Sequence, residues 1–174
     1  FIEIERKRTR KPLSQLLKDI LEYLGKRPCT MTKLIAKFPE QGKIKISDSN
    51  EWKGKSITYH DSCYLGRANG VYEAPRMVMD RLDLDLVEMK RCKTNGFCCG
   101  AGGAQMFKEA ENGNQEVNVN RTEEALETGA EIIAVNCPFC NTMMRDGTKH
   151  FKKEDEVQVV DVAELVNASL KSES

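Results

Sequence analysis

Five cysteines fall into three groups along the chain. Cys63 closes Tyr59-His60-Asp61-Ser62-Cys63, an adjacent pair stands in Phe97-Cys98-Cys99-Gly100-Ala101-Gly102-Gly103, and the last two form Cys137-Pro138-Phe139-Cys140. Between Cys63 and Cys98 lie 34 residues, and between Cys99 and Cys137 lie 37. Thiolates are the soft ligands that select iron–sulfur clusters, zinc or copper(I). A Cys-x-x-Cys pair alone is shared by zinc sites and redox dithiols; Cys, then Cys-Cys-Gly, then Cys-Pro-x-Cys over one domain length is a much more specific pattern. Zinc takes four ligands, as do ordinary cubane clusters held by cysteine. Five thiols exceed both, and a metal-free dithiol switch needs fewer, so the residues alone leave all three chemistries open.

The local sequence says how these thiols are presented. Cys137 stands where a helix N-cap belongs, with Pro138 at the first helical position, so Cys137 and Cys140 share the first turn and face the same way. A helix N-terminus also favours the thiolate. Adjacent residues of an extended chain point to opposite faces, so for Cys98 and Cys99 to serve one site the backbone must turn, as Gly100, Gly102 and Gly103 permit. Amide groups of that turn can hydrogen-bond cluster sulfurs and tune their potential. A phosphate loop is the competing reading, but the lysine and Ser/Thr of a Walker-type motif are missing.

His60 is the candidate catalytic residue, as a proton donor or an alternative metal ligand; a histidine bonded to a loop carbonyl is the plain alternative. Arg67 and Asn95 could balance a cluster's negative charge, or simply cap and bridge loops. Cys92 reads as a structural thiol, Cys29 receives no role, and Met106 and Phe107 are expected to pack under the glycine loop.

Alternating strands and helices must position these groups. Strands are expected at Ser56–His60, Leu84–Lys90, Glu131–Val135 and Val157–Val160. Helices are expected at Tyr72–Leu82, Asn120–Glu127, Pro138–Lys149 and Ala163–Leu170. That alternation predicts an α/β fold, a parallel sheet joined by right-handed crossovers with helices on both faces. Ligands of such sheets collect beyond the carboxyl ends of the strands. Each cysteine group follows a strand, so all five thiols are expected on one rim. Upstream, Leu13, Leu16, Leu17, Ile20, Leu21 and Leu24 keep a helical rhythm between Pro12 and Gly25. A second short helix over 30–38 and a strand over 43–46 follow. The polar stretch Asp48–Lys55 reads as a linker, dividing a helical segment, 1–54, from a cysteine-rich domain, 55–174.

Composition narrows the function. The 174 residues carry 27 Lys/Arg and 27 Asp/Glu, but unevenly: 13 basic against 7 acidic residues in 1–54, and 14 against 20 thereafter. The basic cluster Arg6–Lys11 reads as a solvated lead-in to a helix. The acidic remainder lacks the basic stripe that nucleic acid requires. No apolar run approaches the roughly 20 residues that span a bilayer, and no secretory signal is visible. Seven cysteines in uneven groups suit metal or catalysis in a reducing cytoplasm better than a disulfide scaffold.

The strings 59–67 (Tyr-His-Asp-Ser-Cys-Tyr-Leu-Gly-Arg), 97–103 (Phe-Cys-Cys-Gly-Ala-Gly-Gly) and 137–143 (Cys-Pro-Phe-Cys-Asn-Thr-Met) resemble the cysteine-rich CCG domain of heterodisulfide reductase B-type subunits and related iron–sulfur oxidoreductases. The resemblance covers about 55–170, with a surface insertion near Glu111–Glu116. It implies a [4Fe-4S] cluster, in the family sometimes a noncubane one using all five cysteines. Carried onto this sequence, the ligands are Cys63, Cys98, Cys99, Cys137 and Cys140, with Gly100 and Gly102 lining the cofactor. It further implies single-electron transfer from a flavoprotein or another iron–sulfur subunit to a disulfide or quinone-linked acceptor, within an oxidoreductase that is cytoplasmic or peripheral to a membrane complex. Members often carry two such domains; with one cysteine set here and Phe1 as first residue, a preceding domain is expected, of which 1–54 is a remnant or a replacement. Some relatives hold zinc instead, so a zinc-stabilised or metal-free partner-docking module is the competing expectation.

Overall fold

The computed structural model describes residues 51–109 and 112–169. The helices expected over 12–25 and 30–38 and the strand over 43–46 lie outside them. Four parallel strands form the sheet: β1 (Ser56–Tyr59), β2 (Asp85–Leu86), β3 (Ile132–Val135) and β4 (Gln158–Asp161), in the order β2-β1-β3-β4. Helix α1 (Glu73–Arg81) connects β1 to β2, α2 (Val117–Leu126) precedes β3, α3 (Pro138–His150) joins β3 to β4, and α4 (Val162–Ala168) follows β4. This is the expected α/β architecture.

The two-residue alternation of a strand divides the interior into two layers. Ile57, Tyr59, Ile132 and Ala134 face Val78, Met79 and Leu82 of α1 and Val162, Leu165 and Val166 of α4. Ile133, Val135 and Val159 face the other way, onto Ala125 of α2 and Met144 of α3, and this second cluster includes Cys99 and Cys140. All four residues of β3 are buried, as a central parallel strand covered on both faces requires.

Most element ends fall within a residue or two of the sequence expectation, and two boundaries differ by more. The second strand pairs only over Asp85–Leu86, not Leu84–Lys90. It is an edge strand with one neighbour, and after Val87 donates to the Ile57 carbonyl at 2.8 Å the chain leaves the sheet for the cysteine loop. Helix α2 begins at Val117 rather than Asn120, because Glu116 is extended and its carbonyl already accepts from the Asn120 amide at 3.0 Å. Helix α4 starts in a capping box: Asp161 accepts from Ala163 N, and Glu164 from Asp161 N. Trp52, in the stretch read as linker, packs against the first core cluster.

Candidate metal centre

The strand order fixes where the site must be. From β1 the chain moves outward to β2, and then returns past β1 to β3, so connections diverge between β1 and β3. Ligands of open α/β sheets sit outside the carboxyl ends of the strands at such a switch point. Cys63 follows β1 and Cys137 follows β3, one on either side of that divergence.

A cleft of about 710 Å³ opens there, lined by Cys63, Cys99, Cys137 and Cys140 together with Ser62, Asn136 and an apolar rim. Cys99 and Cys140 are buried, Cys137 is half-buried and Cys63 is exposed. Cys98 turns instead into an adjoining crevice whose lining includes Asp61, Cys63, Arg67 and Phe97. The glycine turn thus does not send both members of the pair into one cleft; neighbours on an extended chain diverge, and Cys63 borders both spaces. Gly100, at φ +90°, donates its amide to Cys98 Sγ at 3.3 Å. A Cβ there would lie 3.1 Å from Val117 Cβ, so the turn is pressed against the start of α2 and glycine is required. Gly102 lines the cleft. Among the described residues no disulfide joins the cysteines, which are free thiols.

The thiols influence one another. Burial pushes the Cys63 thiol up, and the charges of Cys98, Cys99 and Cys137 add to it. Cys99 and Cys140 act on each other: the hydrogen bond from Cys140 holds Cys99 well below the usual thiol range, assisted by His60 and the Ala101 amide, while the same bond and burial push Cys140 up. The surroundings of Cys99 thus favour its thiolate, which is the ligating form. The ligand atoms of His60, Cys99 and Cys140 lie within 4.8 Å of one another. Four soft thiols on one cleft, with Cys98 in the crevice beside it, fit an iron–sulfur cluster.

His60 does not line the cleft. Strand alternation puts Thr58 and His60 on the α2 side of the sheet, and the ring is buried beneath Cys99, where burial lowers its proton affinity. Its Nδ1 accepts from Arg121 Nε at 3.0 Å, and a ring nitrogen lies within 4.8 Å of the Cys99 sulfur. Arg67 reaches no thiol; its Nη2 donates to the Gly96 carbonyl at 3.0 Å and ties the cysteine loop to the β1 loop. Asn95 ends a short 3-10 turn, Lys93–Asn95. Cys92 is half-buried and outside the cleft. Met106 and Phe107, expected under the loop, line the cleft instead, and Phe107 is 78% exposed. The backbone explains this: Gly103 and Ala104 both take φ near +60° (64° and 60°), which kinks the segment Gly102–Phe107 and turns it outward.

Several site residues carry no motif of their own. Asp61 accepts both Nη1 and Nη2 of Arg76 at 2.9 Å and the Lys93 amide at 2.7 Å, so one carboxylate joins the β1 loop, α1 and the approach to Cys98. Arg91 lies over the Phe97 ring at 3.9 Å and pins the loop's entry. Arg121, fully buried, stands behind His60. The signal that could have found it is the inward stripe Asn118, Arg121, Thr122, Ala125 at helical spacing, all buried: a charge in the middle of such a stripe needs a reason.

The family model for the cysteine-rich domain termed CCG matches residues 57–145. The chain belongs to the CCG cysteine-rich domain family. Within that family it is 44% identical over 140 residues to the "Probable iron-sulfur-binding oxidoreductase FadF" of Bacillus subtilis, covering 80% of this chain and 19% of that protein. It is 43% identical over 141 residues to the "EtfAB:quinone oxidoreductase" of Syntrophomonas wolfei, covering 78% and 19%. A subunit of the dihydromethanophenazine:CoB–CoM heterodisulfide reductase of Methanosarcina barkeri is 37% identical over 148 residues, covering 80% and 33%. The matched part of the chain thus spans only 19% to 33% of the length of these relatives. Among the described residues, no helix is long and apolar enough to cross a membrane.

Proposed function

We propose that this chain is the iron–sulfur electron-transfer domain of an oxidoreductase, with Cys63, Cys98, Cys99, Cys137 and Cys140 holding a [4Fe-4S] cluster, of cubane or noncubane form. The observation that carries the proposal is the convergence of three cysteine-bearing loops at the β1/β3 switch point, where Cys63, Cys99, Cys137 and Cys140 line one cleft. The names of the relatives support it: iron–sulfur binding in one, oxidoreductase activity in all three. When bound, the cluster supplies one-electron chemistry. The chain's own residues supply sulfur ligands, the Gly100 turn and a covered floor.

The donor is a flavoprotein or another iron–sulfur subunit, and the acceptor is a disulfide or a quinone-linked carrier. Among the described residues the cleft lining contains no Asp, Glu, Lys or Arg, and Tyr64, Phe107 and Phe139 stand exposed around it. This lining favours an uncharged acceptor, because an anion entering it would be desolvated without a partner. His60 acts at Cys99 rather than on a molecule in the cleft. The work is done in the cytoplasm or on the cytoplasmic face of a membrane complex.

A zinc-stabilised module is the second reading, favoured by the three close donors His60, Cys99 and Cys140. Metal and sulfide analysis with an optical spectrum of anaerobically purified protein decides between them. The cluster gives broad visible absorbance and about four irons per chain. One zinc per chain and a colourless solution would overturn the electron-transfer reading.

A further inference from the structure

Arg121 sits mid-helix in α2 with no exposed surface. Nε donates to His60 Nδ1 at 3.0 Å, and Nη1 donates to the Arg91 carbonyl at 2.9 Å and to Glu124 Oε2 at 3.0 Å. Nη2 is buried without a hydrogen-bond partner. Glu124 is itself shared, because its Oε2 also takes Arg91 Nε at 2.8 Å and its Oε1 takes the Arg91 amide. Two guanidiniums therefore divide one carboxylate, and the fully buried one stands on the far side of His60 from Cys99.

Stability alone does not account for this. A buried ion pair is often replaced by well-packed apolar residues at no loss, and an orphaned buried donor adds a cost of its own. What the arrangement does achieve is orientation. A guanidinium has donors only, so the nitrogen it meets must be the unprotonated one. With Nδ1 occupied in this way, the neutral ring carries its proton on Nε2. The Nε2–H is then the group that the ring offers to the Cys99 sulfur, a His60 ring nitrogen and that sulfur lying within 4.8 Å of one another. Partners behind a ligand commonly set its orientation and basicity in metal sites.

We infer that Arg121 is a positioning residue for the metal centre: it fixes the tautomer of His60 so that an N–H is directed at Cys99, and its incompletely balanced charge, relayed by that N–H, favours the more negative, reduced state of a cluster held by Cys99. This rests on the reading that Cys99 is a cluster ligand. Hydrogen bonds to cluster sulfurs and local charge are among the groups of effects that set the potential. Both contributions of Arg121 act in the same direction, raising it.

The test uses the full chain, purified anaerobically with its cluster. Arg121→Met keeps length and removes both donor and charge; Arg121→Lys keeps the charge and a donor. With equal iron per chain, the Met variant is expected to titrate at a lower potential with an altered electron paramagnetic resonance signal, and Lys is expected to recover part of the shift. In a His60→Leu background, the Arg121→Met shift should shrink, since the relay is already broken. An unchanged potential and signal at equal iron content, or an undiminished shift in that background, overturns the inference. Should the Met variant fail to load, the metal-free chain decides: imidazole nitrogen chemical shifts report an N–H on Nε2 in the parent and a loss of that preference in Arg121→Met, with part of it kept in Arg121→Lys. A parent already lacking that preference overturns it. Failure of the electron-transfer reading itself would be seen separately, as a parent chain without iron.

Discussion

Asp61 and Arg76 form a buried two-point ion pair, with Nη1 and Nη2 each 2.9 Å from one carboxylate oxygen. The exposed fractions of the two side chains are 3% and 8%. Arg76 also meets Glu88, through Nη2 at 2.9 Å, and Asp61 accepts the Lys93 amide. One pair thus fixes the loop carrying Cys63 against the segment leading to Cys98. Removing one partner of a buried pair leaves an unbalanced charge and costs about 3–5 kcal/mol. Glu88 still faces Arg76, so Asp61→Asn is expected at the low end, about 3 kcal/mol, with reduced iron loading. Urea unfolding of the metal-free protein checks the first, and iron analysis the second; a midpoint and loading equal to the parent would contradict both.

Cysteine variants test the ligand set. Cys99 is at the floor of the cleft and in contact with both Cys140 and His60. Cys99→Ser is therefore expected to lower iron content. Cys92→Ser, at a thiol outside the cleft, and Cys29→Ser, at a residue beyond the described ones, should leave it unchanged. Equal losses from all three would mean that the proposed ligands are not special.

Helices α2 and α3 touch backbone to side chain at Gly147. A Cβ added there would lie 2.6 Å from Thr122 Cβ and 3.1 Å from its Cγ2. Gly147→Ala would gain helix propensity of about 1 kcal/mol, but the overlap forces the helices apart, and overpacking costs about 1–3 kcal/mol. The expected net result is a lower melting temperature, partly restored by adding Thr122→Gly. A melting temperature above that of the parent would show that α3 can shift freely.

Glu124 supplies an acid-range signature. Burial raises its proton affinity, but the Arg91 amide, Arg121 and the Arg91 side chain together outweigh burial and hold its carboxyl below the usual value of 4.5. A carboxyl depressed by folding contributes stability that is present above its unfolded value and is lost as pH falls through its folded value. Glu124→Gln should therefore flatten the stability profile of the metal-free protein below about pH 4.5 and lower stability above it. Parallel profiles for parent and variant over that range would exclude the linkage.

Much of this is legible in the chain order. Strand alternation and helical rhythm point to the class of fold, because burial of one face leaves a periodic trace in the residues themselves. Pro138 after Cys137 marks the start of α3 to the residue. The grouping of cysteines after strands points to one rim, since parallel strands all end on the same side. Less is legible in the loops. The edge strand looks longer in the sequence than it is, because hydrophobic residues such as Val87 and Met89 continue past the last ladder bond. Met89, beyond the strand, is buried in the core cluster that includes Cys99 and Cys140. Phe107 reads as a packed residue because its type says nothing about the kink at Gly103 and Ala104 that exposes it.

What the sequence determined by itself is the local chemistry: which residues can ligate soft metal, which glycines can turn, and which segments bury a face. Tertiary structure decided which of these meet. Cys98 and Cys99 are neighbours in the chain yet open into different spaces, while Cys99 and Cys140, forty-one positions apart, line one cleft. Arg121 is an ordinary helix residue until α2 packs against β1 and brings it to His60, sixty-one positions away. Periodicity records burial, which acts on every residue of a face alike. A hydrogen bond depends on the direction of two particular groups, and that direction exists only once the sheet order has brought distant segments together.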